Sequence, residues 1–285
     1  MAGVLGVSAS GPLMAASVVP ALSIAFWRNA MAAALLVPTA AATRRGELAA
    51  LNRRQLRVLA VSSVALAAHF ATWVMSLKMT SVASATALVG LMAGWVVLLS
   101  WWRGEVIHRW VLTGLVLSFA GVLLISGVDT GLSTRALIGD LLALAGGLFA
   151  AIYTVAGAEA RRTLSTTTYT TVCYSGCAAV LLVVCLVADQ PLSGFGASGW
   201  WSLVAVTACA QLLGHSAFNH LLATMSPTVV SLIILLEVPM AAILAAVFLA
   251  QAPPLGVYVG LALIVCGLAV VVSAPRPQAE PVLVD

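Results

Sequence analysis

The sequence predicts an all-α membrane protein, a ten-transmembrane-helix bundle built as two inverted five-helix repeats. Three observations carry that reading. Of 285 residues, 62% are hydrophobic and 8% charged, where a soluble domain carries roughly 25% charged residues. No soluble fold buries that much apolar surface, so the solvent is lipid. Apolar runs of about 20 residues, the length that crosses a bilayer as a helix, follow one another along the chain. Sliding the chain on itself by 146 residues brings its features into register without a gap.

The elements follow in order. Residues 1–17 begin at once with small apolar residues and lack the positive n-region of a signal peptide, so they read as a short first helix. The nine further spans are about 19–38, 56–76, 82–102, 110–128, 137–158, 168–188, 200–222, 228–250 and 255–274. The only sizeable polar connection is 43–57. Trp101, Trp102, Trp110, Trp200 and Trp201 fall at span ends, where indole rings anchor at the membrane interface. Cys173, Cys177, Cys185, Cys209 and Cys266 all fall within spans; they read as small buried packing residues. There is no P-loop, no separate soluble domain and no signature of nucleic-acid binding.

The 146-residue shift places His69 on His215, Ala71 on Ala217, Gly114 on Gly260 and Gly121 on Gly267. Two halves result, 1–136 and 137–275, followed by a tail, 276–285. Five helices is an odd number, so the second half enters the membrane from the opposite side. That inverted arrangement is typical of secondary transporters. Two similar halves facing opposite ways can open one central site to each side in turn; a receptor, an anchor or a membrane enzyme has no need of it. The counterpart of Ile138–Leu144 would lie before Met1, which is why the first helix is expected to be short.

Arginine sets the orientation. Arg44, Arg45, Arg53, Arg54, Arg57, Arg103, Arg109, Arg161, Arg162 and Arg276 lie on one side, against Lys78 and Arg135 on the other. Basic residues mark the cytoplasmic side, so with ten helices both termini are cytoplasmic. Arginine outnumbers lysine twelve to one and alanine is abundant, a composition that fits a bacterial plasma (inner) membrane protein.

Several phrases are shared with a known family. In the first half they are "AFWRNAMAAALLVP" (25–38), "LKMTSVASATALVGLMAGWVVLLSWWRGE" (77–105) and "GLVLSFAGVLLISG" (114–127). In the second they are "GDLLALAGGLFAAIYTV" (139–155), "GHSAFNHLLATMSPTVVSLIILLEVPMAAILAAVFLAQ" (214–251) and "GLALIVCGLAVV" (260–271). On these the sequence resembles the drug/metabolite transporter superfamily, in its EamA-like branch. The resemblance implies a ten-helix bundle with a cavity near the membrane centre, and export or exchange of small metabolites, amino acids or drug-like amphiphiles. The chain departs from the family pattern in three places. Glu237-Val238-Pro239 stands where Glu-Pro-Val is usual. Ala250-Gln251 stands where Gly104-Glu105 closes the first hairpin. The Trp-Gly element typical of the first helix is missing.

A charged side chain at mid-membrane is costly unless paired or wetted, so ionisable residues inside spans are the candidates for function. They are Arg28, His69, His215, His220 and Glu237, with Asn219 as a neutral partner; Lys78 and Asp140 lie near span ends and can snorkel. At about 1.5 Å per residue, Glu237 and His215 come to similar depth near the centre of a roughly 30 Å core. His215, Phe218, Asn219 and Leu222 share one helix face, and His220 lies about 140° round from His215. Glu237 is the leading candidate for binding or coupling, with Pro239 weakening the helix ladder beside it. The competing reading of Glu237 is a structural carboxyl paired with Arg28 or bonded to the histidine. Arg28 could anchor an anionic group, although the family often places an architectural arginine there. Trp73, Trp95 and Tyr153 would suit the wall of a cavity for amphiphiles.

The expected function is therefore a secondary carrier for a small-molecule substrate, coupled to protons through Glu237 and His215, with no catalytic residue and no cofactor. A metal carrier is disfavoured, because the sequence lacks HExxH or paired-histidine spacing. The alternative is a flippase for a lipid or for undecaprenyl phosphate, or a non-transporting membrane scaffold. The sequence carries no signature of the cargo, the direction of transport or the oligomeric state.

Overall fold

The helices begin where the sequence offers a cap. In the computed structural model, which describes residues 2–128, 133–250 and 255–272, α5 (Arg53–Ser76) opens on a reciprocal box. Asn52 accepts the Gln55 N–H at 2.9 Å, and the Gln55 side chain takes the Asn52 N–H at 3.0 Å. Serines 81, 133, 165 and 226 cap α6 (Val82–Gly90), α9 (Thr134–Arg161), α10 (Thr166–Val187) and α13 (Pro227–Ile234) in the same way. A side-chain oxygen there satisfies an amide the helix itself leaves unpaired. The joint residue Gln251 and the tail with Arg276 lie outside the described residues.

Among the described residues the chain is all helical. Seven stretches are long and apolar enough to cross a membrane: Ala21–Thr43, Arg53–Ser76, Val82–Trp102, Thr134–Arg161, Thr166–Val187, Gly196–Leu221 and Pro227–Leu249. The other three predicted spans are helical but shorter: Ala2–Ala16, Arg109–Ile125 and Leu255–Val271. The 43–57 connection holds a one-turn helix, α4 (Arg45–Ala49), after α3 (Ala21–Thr43).

Four of the predicted spans are interrupted, which hydropathy alone does not reveal. The first divides at Ala9 into α1 (Ala2–Ser8) and α2 (Ser10–Ala16). Pro12 lacks an N–H and crowds the carbonyl four residues before it, that of Ser8. Pro239 does the same to Leu235, and the ninth span divides at Leu235–Leu236 into α13 and α14 (Glu237–Leu249). The fourth divides at Leu91, after Gly90, into α6 and α7 (Met92–Trp102). The eighth keeps its course but widens to π-helix over Thr207–His215, between α11 (Gly196–Val206) and α12 (Ser216–Leu221). A π-turn is a rare, poorly packed geometry that recurs at functional sites.

Packing relies on small residues, as it must where lipid gives no hydrophobic drive between helices. Helix α5 lies along α9, α3 along α10, and α8 (Arg109–Val128) along α15 (Leu255–Val272). In the last pair Gly114 meets the carbonyl of Gly267, and Gly121 that of Gly260, backbone against backbone. The 146-residue shift carries Gly114 to Gly260 and Gly121 to Gly267. The two contacts therefore exchange under the shift, as contacts across a twofold axis do.

Candidate functional site

The two broken hairpins meet at the centre. A side chain on Gly90 would touch Leu235 at 3.1 Å and Val238 at 3.2 Å. Beside this contact lies a narrow cavity of about 40 Å³. Val89, Gly90 and Met92 line it from one break, and Ile234, Glu237 and Val238 from the other. Thr86 adds to the first wall; His69 and Trp73 come from α5, Ala150, Tyr153 and Thr154 from α9, and Val7 from α1. Val230 adds to the wall from α13, and His215, Phe218, Asn219 and Leu222 complete it. These four are the residues placed on one helix face by their spacing, and His220 is exposed elsewhere, 3.3 Å from the Thr166 hydroxyl.

Glu237 is 8% exposed, and its Oε1 has no hydrogen-bond partner. Two donors on the same walls are also unpartnered, the Trp73 indole N–H and the Thr86 hydroxyl. An unmet buried polar group costs about 1–3 kcal/mol, and three of them lie on this one cavity. Ser10, the first residue after the Ala9 break, directs its buried hydroxyl towards the carboxyl from α2 without reaching hydrogen-bond geometry.

The two histidines sit together but are held differently. Their ring centroids are 6.3 Å apart. His69 Nδ1 is 2.9 Å from the Gly146 carbonyl, and its ring stacks on Trp73 at 5.5 Å. His215 rests edge-on against Phe70 at 5.2 Å and near Tyr153 at 6.2 Å. Among the described residues its ring makes no hydrogen bond. From the cavity a polar chain runs outward: the Tyr153 hydroxyl donates to Asn219 Oδ1 at 2.7 Å, and Asn219 Nδ2 donates to the Tyr174 hydroxyl at 3.1 Å. Tyr174 in turn lies 3.2 Å from Ser216 Oγ, which donates to the Gln211 carbonyl at 3.2 Å. Arg161, counted above among the orienting arginines, is turned inward, and its Nε donates to the Asn219 carbonyl at 2.9 Å.

Arg28 and Trp95 are placed away from the cavity wall. Arg28 is fully buried behind Phe70, its guanidinium carbon 3.9 Å from the ring centre. Its Nε donates to Gln211 Oε1 at 2.8 Å, and Gln211 Nε2 donates to Asn29 Oδ1 at 3.1 Å. One terminal nitrogen, Nη2, has no partner. Trp95 is 37% exposed, in an outer groove with Leu98, Phe119 and Leu144. Its helix is apolar all round, so periodicity had no polar face with which to orient it. Lys78 does not snorkel freely: its Nζ donates to the Ala15 and Ser17 carbonyls at the end of α2. Among the described residues no three of His, Cys, Asp and Glu converge as metal ligands would.

Gln211, Thr86, Phe70 and Tyr174 were not singled out from the sequence. Gln211 carried the signal: an amide inside an apolar run needs partners as a charge does.

The sequence model of the EamA-like transporter family matches residues 1–127 and 137–273. The chain belongs to that family. As a member of that family, with seven helical stretches long and apolar enough to span a bilayer among the described residues, it is a multi-pass membrane protein. It is 38% identical over 106 residues to an "Uncharacterized transporter" of Archaeoglobus fulgidus, a match spanning 36% of each chain; the aligned region is thus about a third of that relative's length. A solved crystal structure superposes with a TM-score of 0.72 at 19% identity, covering 95% of this chain and 96% of the other. That likeness concerns the fold.

Proposed function

We propose that this EamA-like protein is a secondary active transporter of the bacterial inner membrane, a ten-helix bundle of two inverted five-helix repeats with both termini cytoplasmic. It exports or exchanges a small metabolite, amino acid or drug-like amphiphile by alternating access. The observation that carries the reading is the buried Glu237 carboxyl, whose Oε1 makes no hydrogen bond among the described residues, set with the Trp73 and Thr86 donors on a cavity flanked by two helix breaks. Helix breaks at mid-membrane are tolerated where they line a cavity, and transporters bind substrate there. The crosswise glycines of α8 and α15 and the facing pair His69–His215 support a twofold relation between the halves.

In the proposed cycle Glu237 accepts either a proton or a hydrogen-bond donor of the substrate. A charged residue at the centre of a membrane helix costs about 2.5–3.5 kcal/mol, so the carboxyl gains from whichever arrives. Trp73 and Thr86 donate to an acceptor on the same guest, and the aromatic walls of Trp73, Tyr153 and Phe218 take its apolar body. Filling the site favours one arrangement of the halves over the other, and rocking exposes it to the far side. His215, which lines the same cavity and makes no ring hydrogen bond among the described residues, joins the proton-sensitive centre.

A toxicity and metabolite screen in cells overproducing the protein supplies the cargo. Proteoliposomes then test the mechanism: flux of that cargo should rise several-fold when a pH gradient is imposed. Equal flux with and without the gradient would remove proton coupling, and no flux in either case would remove the transporter reading.

A further inference from the structure

The basic end of the bundle carries a second feature, separate from the central cavity. Arg54 and Arg57 lie in the first turns of α5, Arg103 follows α7, and Arg162 follows α9. Between these three helices lies an outer groove of about 330 Å³. Arg57 and Arg103 stand at its basic end, and Val58, Val61, Leu99 and Ile152 form its apolar walls. From Glu159 to Ile152 the wall descends seven residues of α9, about 10 Å at the helix rise. The groove is therefore polar where headgroups lie and apolar where acyl chains begin.

Its charge is unbalanced. Glu159 is the carboxylate on its wall, and both oxygens are taken. Oε1 is 2.6 Å from Arg54, while Oε2 is 3.0 Å from Arg162 and 3.6 Å from Arg103. Arg103 holds the longest of these contacts and is 44% exposed. Arg57 is exposed and has no hydrogen bond or ion pair among the described residues. One carboxylate is thus set against four arginines, two of which, Arg57 and Arg103, line an apolar slot.

We infer that this groove binds a phospholipid with a net negative headgroup. The phosphate lies between Arg57 and Arg103, and the upper acyl segment lies against Val58, Val61, Leu99 and Ile152. A lipid-facing groove is always in contact with bilayer lipid, and basic pockets between helices at the headgroup level select anionic members. A zwitterionic lipid brings an ammonium group that the arginines repel.

The test is native mass spectrometry of the full-length protein equilibrated with equal amounts of phosphatidylglycerol and phosphatidylethanolamine of the same acyl chains. Wild type should retain phosphatidylglycerol preferentially. R57Q and R103Q should each lower that retention about fivefold, the weight of one basic residue near an anionic surface, and leave phosphatidylethanolamine unchanged. R109Q, whose guanidinium packs on Trp110 instead, should change neither. Since R103Q also removes a contact to Glu159, R57Q keeps the test decisive if R103Q misfolds. Equal retention of the two lipids, undiminished retention in R57Q, or an equal loss in R109Q would overturn the site.

Discussion

Arg28 and Glu237 are both buried in one helical core and do not pair with each other. The ion pairs among the described residues all centre on Glu159. Arg28 is engaged by Gln211 and Phe70 and keeps Nη2 free, while Glu237 keeps Oε1 free on the cavity. The two interact electrostatically through space without forming an ion pair. On the proposed reading the carboxyl receives the guest, and the arginine is the structural member.

Glu237→Gln keeps the shape of that carboxyl and removes its charge and its proton exchange. We expect transport to fall by about tenfold or more, which is roughly 1.4 kcal/mol of lost binding, with normal membrane insertion. Flux measured in proteoliposomes beside the quantity of folded protein decides it; wild-type flux in the variant would exclude Glu237 from binding and coupling.

Gln211→Leu should act on stability. The change leaves Arg28 Nε and Asn29 Oδ1 unmet in the core. A hydrogen bond to a charged group is worth about 1.5–3 kcal/mol, so unfolding in micelles of rising SDS fraction should begin at lower SDS. Gln211→Glu, which offers Arg28 an ionised partner but no donor for Asn29 Oδ1, should recover the Arg28 share of the loss only. If Gln211→Leu unfolds like wild type, the network does not hold Arg28.

The histidines should separate in their effects. His69 is tied to the Gly146 carbonyl and stacked on Trp73, so His69→Ala should lower thermal stability by about 1–3 kcal/mol. His215 has ring contacts without a hydrogen bond, so His215→Ala should leave stability nearer wild type and shift the pH optimum of flux. An unchanged pH profile in His215→Ala would rule out proton sensing there.

How far the sequence reached follows from what each residue type signals. Glu237, His215, Asn219 and His69 stood out because polar groups in apolar runs are costly, and all four line the cavity. The π-helical stretch around Gln211 left no trace, because a shift from i→i+4 to i→i+5 bonding changes no composition. The break at Leu91 was likewise silent, whereas Pro239 marked its counterpart. Trp95 and Arg28 show the limit of periodicity: in a helix apolar on every side, depth can be read but direction cannot. Phe70, an ordinary aromatic in the sequence, separates Arg28 from the site.

Gly121→Leu and Gly260→Leu test the α8–α15 seam. Each added side chain would strike the partner's backbone carbonyl, which cannot rotate away as a side chain does. Overpacking of this kind costs about 1–3 kcal/mol, and the two variants should lose similar amounts because their contacts are reciprocal. Melting temperatures in detergent give the comparison. A large loss in one and none in the other would argue against the crosswise pairing.

Glu47 supplies a pH dependence outside the spans. It accepts the Ser165 backbone N–H at 2.6 Å, tying α4 to the start of α10. Partial burial pushes its carboxyl up, but the hydrogen bonds from Ser165 and Thr168 outweigh that and hold it below the usual 4.5. A group whose folded value is depressed stabilises the protein above its unfolded value and loses that contribution as pH falls through the folded one. Wild type should therefore exceed Glu47→Gln in melting temperature above pH 4.5, with the gap closing on further acidification. A gap that stays constant across this range would mean that the carboxylate charge is not what secures α10.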